Sequence, residues 1–448
     1  MTDRSNDHAA LSRRAVLGAA AAGTAGLVVG RLTGPLFPPQ AAPSLGSAAP
    51  SAAVATPTAV PTPMAVATHA GSHPFFGAHQ GGISTPPQAH LQFVAFDMQE
   101  GTDRRDLVHL LRAWSKAAAL LVEGLPVGAT FGLGGDPSLP PEDTGEAVGL
   151  PPSGLTVTVG FGAGLFERDD VDRYGIAAAR PRGLAPLPSF PGDVLDAARS
   201  DGDLCLQVCA DDPTVALHAV RDLARIGARC ARIRWSQSGF GLAAATAVTA
   251  TVPATTPRNL MGFKDGTANI RGDDEAALDR HVWLADDVEP GWLAGGTYLV
   301  VRKIAILLED WDDQPLEVQE TTFGRTKDGG APLTGGGESS QPDLAAQTAG
   351  RDVIDRAAHV RLAHPSTNGG IRILRRGYSY FDGSTLDGHL DGGLLFISFQ
   401  HDPSRFITLQ QALGSDLLNE YIRPVGSGLF AVPRGATRGG FVGDTLLG

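Results

Sequence analysis

The chain has 448 residues and a formal net charge of −12, with 36 Lys and Arg against 48 Asp and Glu. This acidic balance argues against a nucleic-acid partner, because binding to phosphates requires a basic surface. Three cysteines do not make a disulfide framework, so we expect buried free thiols at Cys205 and Cys209. The length suits two to three ordinary domains or one duplicated unit. Hydrophobic residues make up 42% of the chain, which is enough to form a large core.

The N-terminus has the pattern of an export signal. Arg13 and Arg14 precede an apolar run rich in Ala and Gly that ends near Gly30, which is typical of a twin-arginine signal peptide. The run is shorter than the roughly 20 residues that a membrane-spanning helix needs. We predict a signal peptide at residues 1–33 and a disordered linker rich in Ala and Pro at residues 34–73. Export would place the protein in the periplasm, the cell envelope or the extracellular space, with no stable membrane span after signal removal; a tail that stays anchored in the membrane is the alternative.

The first part of the folded region predicts a ferredoxin-like domain at residues 74–250. Asp103 is a suitable N-cap for a helix whose apolar residues recur at helical spacing up to Gly124. Pro213 stands at the first position of a second helix. Apolar runs predict four strands, at residues 91–96, 155–159, 203–209 and 230–235. The order strand, helix, strand, strand, helix, strand is the ferredoxin-like pattern.

The remaining residues, 251–448, repeat this order of elements. Strands are predicted at residues 298–304, 370–380, 394–400 and 429–432, and helices at residues 309–320, 343–358 and 405–418. Residues 329–342 are rich in Gly and polar residues, which predicts a long loop. We therefore expect an α+β protein in which two ferredoxin-like domains form a dimeric α+β barrel or sandwich from two antiparallel sheets.

A stretch near the middle of the chain places a carboxylate between turn-forming residues. Gly262 and Gly266 flank Asp265 and allow the backbone to turn sharply or to approach a ligand closely. Such a segment can hold one carboxylate over a cavity. A run of Lys264, Asp265 and Gly266 is also a common surface turn, so the segment alone leaves both interpretations open.

Two downstream residues are ambiguous in the same way. His359 follows a predicted helix and has apolar neighbours, so it could bind haem iron through Nε2 or be a structural histidine. Arg375 shares one face of a predicted strand with Ile371 and Ile373. If that face points inward, the guanidinium needs an anionic partner such as Asp265; if the faces are reversed, Arg375 is solvated. The sequence has no Cys/His cluster at zinc-finger spacing and no P-loop.

Taken together, these features resemble the dye-decolorizing peroxidases, and in particular their exported subgroup of deferrochelatase/peroxidase proteins. The resemblance runs from Pro74 to the C-terminus and depends on five segments. They are FGAHQGGI at residues 76–83, GFKDGT at 262–267, GGTYLV at 295–300, HVRLA at 359–363 and RRGYSY at 375–380. The resemblance implies two ferredoxin-like domains that hold haem b (iron protoporphyrin IX), one per chain, with the C-terminal domain as the haem-binding one.

The resemblance also implies roles for single residues. His359 would be the proximal ligand of the iron, Asp265 the distal acid–base residue and Arg375 the distal arginine. The resemblance also implies a carboxylate behind the proximal histidine, whose position stays open in the sequence; Asp402, after the strand at residues 394–400, is one candidate. The other cofactor-binding residues would surround Asp265, namely Gly262, Phe263, Lys264, Gly266 and Thr267. Four aromatic residues are candidates for relaying electrons to the surface, although such residues more often belong to the core: Trp283, Trp292, Tyr378 and Tyr380.

The implied function is that of a haem b peroxidase, which reduces hydrogen peroxide and oxidises dyes, phenols or other bulky reductants through a ferryl intermediate. Two alternatives stay open at this point. The same site could release iron from haem as a deferrochelatase, with partners in an iron-uptake system, or the chain could be a haem carrier without enzymatic activity. A homodimer would be compatible with each of these functions.

Overall fold

The computed structural model describes residues 71–128, 134, 136–241 and 256–448. The predicted signal peptide lies outside these residues, as does the predicted linker except for residues 71–73. The predicted domain boundary between residues 250 and 251 also lies outside them. None of the described helices is both long and apolar enough to cross a membrane.

The N-terminal half forms a four-stranded antiparallel sheet covered by two long helices. Its elements are β1 (His90–Met98), α1 (Arg104–Leu121), β2 (Thr156–Gly162), α2 (Ala163–Phe166), β3 (Leu204–Ala210), α3 (Pro213–Gly227) and β4 (Ala231–Phe240). The strands lie in the order β2-β3-β1-β4, with all neighbours antiparallel. This is the split β-α-β arrangement of a ferredoxin-like fold, as predicted.

Helices α1 and α3 begin where the sequence indicates. The Asp103 carboxylate accepts hydrogen bonds from the backbone N–H groups of Arg105 and Asp106, and the Asp106 side chain accepts one from Asp103 N–H. This reciprocal pair is a capping box. The side chain of Asp212 caps α3 by accepting hydrogen bonds from the backbone N–H groups of Thr214 and Val215. The two helices are joined at their buried faces, where Trp114 Nε1 donates to the carbonyl oxygen of Leu223 over 2.7 Å.

The C-terminal half builds a second sheet of the same kind, with longer insertions. Its elements are α4 (Glu275–His281), β5 (Thr297–Ile306), α5 (Leu308–Asp312), α6 (Leu316–Phe323), β6 (Gln347–Thr348), β7 (Arg351–Asp352), α7 (His359–Leu362), β8 (Leu374–Arg375), β9 (Tyr378–Ser384), β10 (Leu390–Gln400), α8 (Pro403–Ala412), β11 (Ile422–Val432) and α9 (Asp444–Leu447). The long strands lie in the order β11-β5-β10-β9, which matches that of the N-terminal half.

The two sheets join edge to edge and close a barrel. Strand β11 pairs with β2, and β4 pairs with β9 through Phe240 and Ser379. Eight strands thereby form a closed ring, and the short β8 pairs with Ser398 and Phe399 of β10, on the edge of β10 opposite β5. The predicted α+β barrel of two ferredoxin-like halves is confirmed. Side chains from both halves fill a common core, where Cys205 and Cys209 are buried free thiols whose pKa is raised by burial.

Three predicted elements of the C-terminal half are wrong in part. The helix expected at residues 343–358 is absent, because Ala349 and Gly350 adopt positive φ and turn the chain into the hairpin of β6 and β7. The helix expected at 309–320 is divided into α5 and α6 at Pro315, which has no N–H to continue the first one. The strand expected at 370–380 is regular only in β8 and β9.

Candidate active site

The candidate proximal residue, His359, is the first residue of the four-residue helix α7. Its Nδ1 lies 2.6 Å from Oδ2 of Asp416, whose side chain is only 3% exposed. Asp416 is itself held in place, because its Oδ1 accepts a hydrogen bond from the backbone N–H of Leu418 over 2.9 Å. Within the described part of the chain, Nε2 of His359 has no hydrogen-bond partner, so this ring nitrogen is available to a ligand.

The electrostatic surroundings of His359 favour a basic imidazole. Burial works to lower its pKa, but the charge of Asp416 and the hydrogen bond to it outweigh burial and raise the pKa above its ordinary value. Two further charges act on the same ring: Arg375 lowers its pKa and Asp265 raises it. The fold therefore brings the three residues of the predicted site, from three separate segments, within electrostatic reach of one another.

The carboxylate behind the histidine is Asp416, and the prediction of Asp402 is wrong. Asp402 is exposed and caps α8, where its Oδ1 accepts from the backbone N–H of Ser404 over 2.8 Å. An Asp immediately before Pro403 is a typical helix start, and this local role uses the side chain. Asp416 also caps a short helical turn, so its second role was not visible in the sequence.

Asp265 and Arg375 form an ion pair. Arg375 Nη1 lies 3.1 Å from Asp265 Oδ1, and the two side chains are 34% and 33% exposed. Arg375 Nη2 also donates to the carbonyl oxygen of Thr267 over 3.3 Å. Oδ2 of Asp265 accepts no hydrogen bond from any described residue, so one carboxylate oxygen is held and the other is free. The anionic partner that an inward Arg375 requires is thus Asp265.

The neighbouring Arg376 is buried more deeply, which the alternation of the predicted strand did not indicate. It is 4% exposed and donates from Nη1 to the carbonyl oxygen of Thr85 over 2.6 Å. Its Nη2 bonds the side chain of Gln88. The strand is interrupted between β8 and β9, so both arginines find partners within the protein. Arg376 joins the two halves, and Arg375 faces the predicted site.

Asn269 holds the backbone of Arg375 in place. Its Nδ2 donates to the carbonyl oxygen of Arg375 over 2.7 Å, and its Oδ1 accepts from the N–H of Arg375 over 2.9 Å. This two-point contact ties the Asp265 segment to β8 and sets the position of the guanidinium. No local sequence pattern marks Asn269 as functional, because its hydrogen-bond partner lies 106 residues away in the chain.

The turn around Asp265 depends on its glycines. Gly262 has φ of +83° and Gly266 has φ of +129°, values that residues with a Cβ rarely adopt. At Gly262 there is also no space, since a Cβ would lie 2.7 Å from Cε of Lys327. The backbone N–H of Asp265 donates to the carbonyl oxygen of Pro257 over 2.8 Å, which fixes the turn.

Lys264 and Thr267 both contact Glu338, a residue of the predicted long loop. Lys264 Nζ lies 2.5 Å from Glu338 Oε2, and Thr267 Oγ1 donates to Oε1 over 3.1 Å; Thr256 also bonds Oε1. Burial works to raise the pKa of Glu338, but these hydrogen bonds prevail and lower it. Lys264 and Thr267, which were predicted to bind the cofactor, therefore anchor the loop to the turn. Glu338 was not predicted from the sequence.

An apolar cluster connects the Asp265 turn with His359. Phe263 stacks on Phe323, with ring centroids 4.0 Å apart and an angle of 11° between the planes. Phe323 meets His359 edge to face at 6.1 Å. Trp311 Nε1 donates to the carbonyl oxygen of Met261 over 3.0 Å. These rings are packed together with Tyr421, so the Asp265 turn and His359 both adjoin one packed aromatic cluster.

The four candidate relay residues are all buried. Trp292 is a core residue whose Nε1 donates to the carbonyl oxygen of Ala179 over 2.8 Å. Trp283 stacks on His79 at 3.7 Å between centroids, with the rings 5° from parallel. Tyr378 and Tyr380 lie on β9, and neither hydroxyl has a hydrogen-bond partner among the described residues.

Comparison with known proteins agrees with this geometry. Models of the N-terminal and C-terminal parts of Dyp-type peroxidases match residues 80–241 and 256–437. A deferrochelatase of Escherichia coli K12 is 40% identical over 380 residues, which cover 84% of this chain and 87% of that protein. The chain belongs to the Dyp-type peroxidase family. It is a haem peroxidase, and its cofactor is haem b, one per chain.

Two solved structures extend the comparison to the fold. Ferric DtpA from Streptomyces lividans is 43% identical with a TM-score of 0.76, and the match covers 84% of this chain and 97% of that one. A DyP-type peroxidase from Streptomyces coelicolor has the same identity, TM-score and coverage. The activity of this Dyp-type peroxidase is therefore the reduction of hydrogen peroxide at the expense of a reductant.

The residues present fit haem. A histidine whose Nδ1 is held by a buried carboxylate and whose Nε2 is free is the donor arrangement expected of a proximal ligand. A carboxylate paired with an arginine acts electrostatically on that histidine and would supply acid–base chemistry beside a bound haem. Phe323, which is only partly buried and lies edge to face with His359, provides apolar surface for a porphyrin.

Proposed function

We propose that this Dyp-type peroxidase uses His359 as the iron ligand and the Asp265–Arg375 pair as its peroxide-cleaving groups. The observation that carries this assignment is the free Nε2 of His359 together with the ion pair that acts on the same imidazole. Haem supplies the iron that binds peroxide and takes up its oxidising equivalents. Gly262 and Gly266 shape the turn, and Phe263, Lys264 and Thr267 fix it, so we assign them a supporting part in binding the cofactor.

The two oxygens of Asp265 have different tasks in this proposal. Oδ1 is held by Arg375 Nη1 at 3.1 Å, whereas Oδ2 is free among the described residues to take a proton from the inner oxygen of peroxide and to deliver it to the outer oxygen, which leaves as water. The guanidinium of Arg375 stabilises the negative charge that develops as the O–O bond breaks. Asn269 keeps that guanidinium in position through the backbone of Arg375.

Separate substitutions test the two sides of the site. His359→Ala is expected to lose the Soret band of purified, haem-reconstituted protein. Asp265→Asn is expected to keep haem and the spectrum but to react with peroxide more slowly by about 10²–10⁴-fold, the usual contribution of a positioned acid–base group. Asp273, which forms an exposed pair with Arg271, offers a matched control in Asp273→Asn. An unchanged Soret band in His359→Ala, or wild-type peroxide reactivity in Asp265→Asn, would contradict the assignment.

For the reductant, we propose dyes, phenols and other bulky molecules that donate electrons at the protein surface. The support for such a relay is the presence of oxidisable aromatic residues in the core: Tyr378 and Tyr380 on β9, and Trp283 stacked on His79 at 3.7 Å between ring centroids. Replacing Tyr378, Tyr380, Trp283 or Trp292 singly by Phe should slow oxidation of bulky dyes more than reaction with peroxide. Equal loss for a small and a bulky reductant would argue against the relay.

A second candidate function is the release of iron from haem. The support for it is the 40% identity to proteins named deferrochelatase, which exceeds what the fold alone would require. Incubation with haem, with and without peroxide, separates the two functions: metal-free porphyrin is the product of iron release, and oxidised dye is the product of peroxidase turnover. Iron-uptake partners belong to this second candidate.

We further propose that the chain is exported by the twin-arginine pathway to the periplasm, cell envelope or extracellular space, and that it is folded as two domains, 74–250 and 251–448. Arg13 and Arg14 before the apolar run carry the export proposal. Replacing both by Lys should leave the precursor in the cytoplasm, as seen by cell fractionation.

A homodimer is also proposed, and light scattering of the haem-loaded protein at several concentrations tests it.

A further inference from the structure

A second cluster of titratable side chains lies in the N-terminal half and has no part in the peroxidase site. His218 and Asp222 stand four residues apart on α3 and so share one face of the helix. Asp143 reaches the same place from the connection between α1 and β2. All three residues are buried, and Asp222 has no exposed surface at all. Their ligand-type atoms lie within 4.8 Å of one another.

The distances within this cluster suit a shared cation better than direct hydrogen bonds. His218 Nε2 lies 3.6 Å from Asp143 Oδ2 and 3.5 Å from Asp222 Oδ2. A charge-assisted N–H···O bond is normally about 2.7–2.9 Å long, so both separations are too long for one. Ligand atoms of a tetrahedral zinc ion, with bonds of about 2.0–2.2 Å, lie roughly 3.3–3.6 Å apart.

The remaining ring nitrogen of His218 is held as in known zinc sites. Its Nδ1 lies within hydrogen-bond distance of Thr144 Oγ1, at 3.2 Å; the carboxylate of Glu146 stands 3.5 Å away, too far for a hydrogen bond but near enough to act on the ring by its charge. A metal-binding histidine usually gives its second N–H to an oxygen of this kind, which fixes the tautomer and points the other nitrogen at the metal. Nε2 is thereby left for a ligand, and it faces the two aspartates.

The aspartates are positioned by the backbone and leave one oxygen without a partner. Asp143 accepts from Val127 N–H and Gly145 N–H over 2.8 and 2.7 Å. Asp222 Oδ1 accepts from Thr144 N–H over 3.1 Å. Its Oδ2 is buried and accepts no hydrogen bond from the described residues. A buried carboxylate oxygen without a partner is costly, and this one points at His218 Nε2, where a cation would satisfy it.

We propose that Asp143, His218 and Asp222 form a structural zinc site that fastens the α1–β2 connection to helix α3. One imidazole nitrogen and two carboxylate oxygens are ligands that zinc accepts, and water completes the tetrahedron. Calcium and magnesium fit less well, because they prefer six or more oxygen ligands and no imidazole. The ligands come from positions 143, 218 and 222, and this wide spacing matches no sequence motif for zinc.

The test uses the full-length, haem-loaded protein, treated with a chelator and then titrated with zinc. Elemental analysis after removal of free zinc is expected to find one zinc per chain in addition to the haem iron. Asp222→Asn and His218→Ala are expected to abolish this zinc and to leave the Soret band and peroxide reactivity unchanged. The matched control is His389→Ala, which removes an exposed histidine 3.8 Å from Glu309 and should retain the zinc.

Binding of cobalt(II) by the wild-type protein is a second measurement, and it does not depend on the folding of a variant. Cobalt(II) added to the chelator-treated wild-type protein should give the visible absorption of a tetrahedral cobalt site with nitrogen and oxygen ligands, and zinc should displace it stoichiometrically. Binding of zinc should also raise the melting temperature of wild type but not of Asp222→Asn. A wild-type protein that retains no zinc, or zinc that persists equally in Asp222→Asn, overturns the proposal.

Discussion

The hydrogen bond between Asp416 and His359 makes the sharpest prediction about the peroxidase site. Asp416→Asn keeps the size of the side chain and its ability to accept a hydrogen bond from Nδ1, but it removes the negative charge. The contact is short, at 2.6 Å, and the carboxylate is 3% exposed, so solvent screens this charge very little. We expect the pKa of His359 in the haem-free protein to fall, because Asp416 is what holds it above the ordinary value.

The size of the effect follows from the kind of bond that is lost. A hydrogen bond to a charged group contributes about 1.5–3 kcal/mol, against about 1 kcal/mol for a neutral one. Loss of a carboxylate behind a ligating histidine typically lowers metal affinity about 10–100-fold. If the affinity falls for ferric haem and stays the same for ferrous haem, the reduction potential of the haem rises by roughly 60–120 mV. A tenfold change in affinity corresponds to about 59 mV for one electron.

Two measurements check this prediction in the same protein. Titration of the haem-free protein with haem gives the affinity, and spectroelectrochemistry of the loaded protein gives the potential. Asp402→Asn is the matched control, because Asp402 is an aspartate that caps a helix and makes no contact with His359; it should change neither quantity. An unchanged potential in Asp416→Asn, or an equal shift in both variants, would refute the assignment of Asp416 as the proximal carboxylate.

Three further predictions concern other contacts of the described residues. Asn269→Ala removes both hydrogen bonds to the backbone of Arg375; unfolding free energy should fall by about 1–3 kcal/mol, and stopped-flow peroxide reactivity should fall with it while haem stays bound. Glu338→Gln breaks the ion pair to Lys264, which is partly exposed, so a loss of about 1 kcal/mol or less that shrinks at high salt is expected in thermal melts. In zinc-free protein, burial and then the charge of the nearby Asp143 raise the pKa of Asp222 from 3.8 to about 6. Between pH 3.8 and about 6 the Asp222 carboxyl therefore keeps its proton in the native state, whereas the unfolded state has released it. The stability that this proton contributes is lost as the pH rises through about 6. Asp222→Asn should accordingly gain stability relative to wild type by up to about 3 kcal/mol between pH 4 and 7. Denaturant melts at several pH values measure this gain, and a constant difference between the two proteins would contradict it.

Local patterns predicted the fold well because they report on nearest neighbours in the chain. The capping of α1 by Asp103 and the alternation of the long strands are local properties, and they were sufficient to order the elements into two ferredoxin-like halves. The helix predicted at residues 343–358 was wrong because the prediction also used only local pattern. The local residues favoured a helix, but the positive φ of Ala349 and Gly350 turned the chain.

The candidate site was only partly visible in the sequence, because its contacts connect distant segments. Asp265, His359 and Arg375 stand in segments that resemble a known family, so each could be named. Asp416 and Asn269 have no such marking: each is a short polar residue in a turn, and what it does depends on a partner 57 or 106 residues away. The one candidate that the sequence offered for the carboxylate behind the histidine, Asp402, instead caps helix α8.

The closure of the barrel has a consequence for how the protein comes apart. Inside each half, neighbouring strands pair along most of their length, as in the seven residue pairs between β1 and β3. Between the halves, β11 meets β2 at two residue pairs and β4 meets β9 at one, Phe240 with Ser379. Amide hydrogens at these two seams between the halves, the β11–β2 seam and the β4–β9 seam, should exchange with solvent sooner than those of β1 or β3. Since β9 follows directly after the segment that carries Arg375, partial opening of the β4–β9 seam would release the side of the site to which we assign peroxide cleavage, while each half keeps its own sheet.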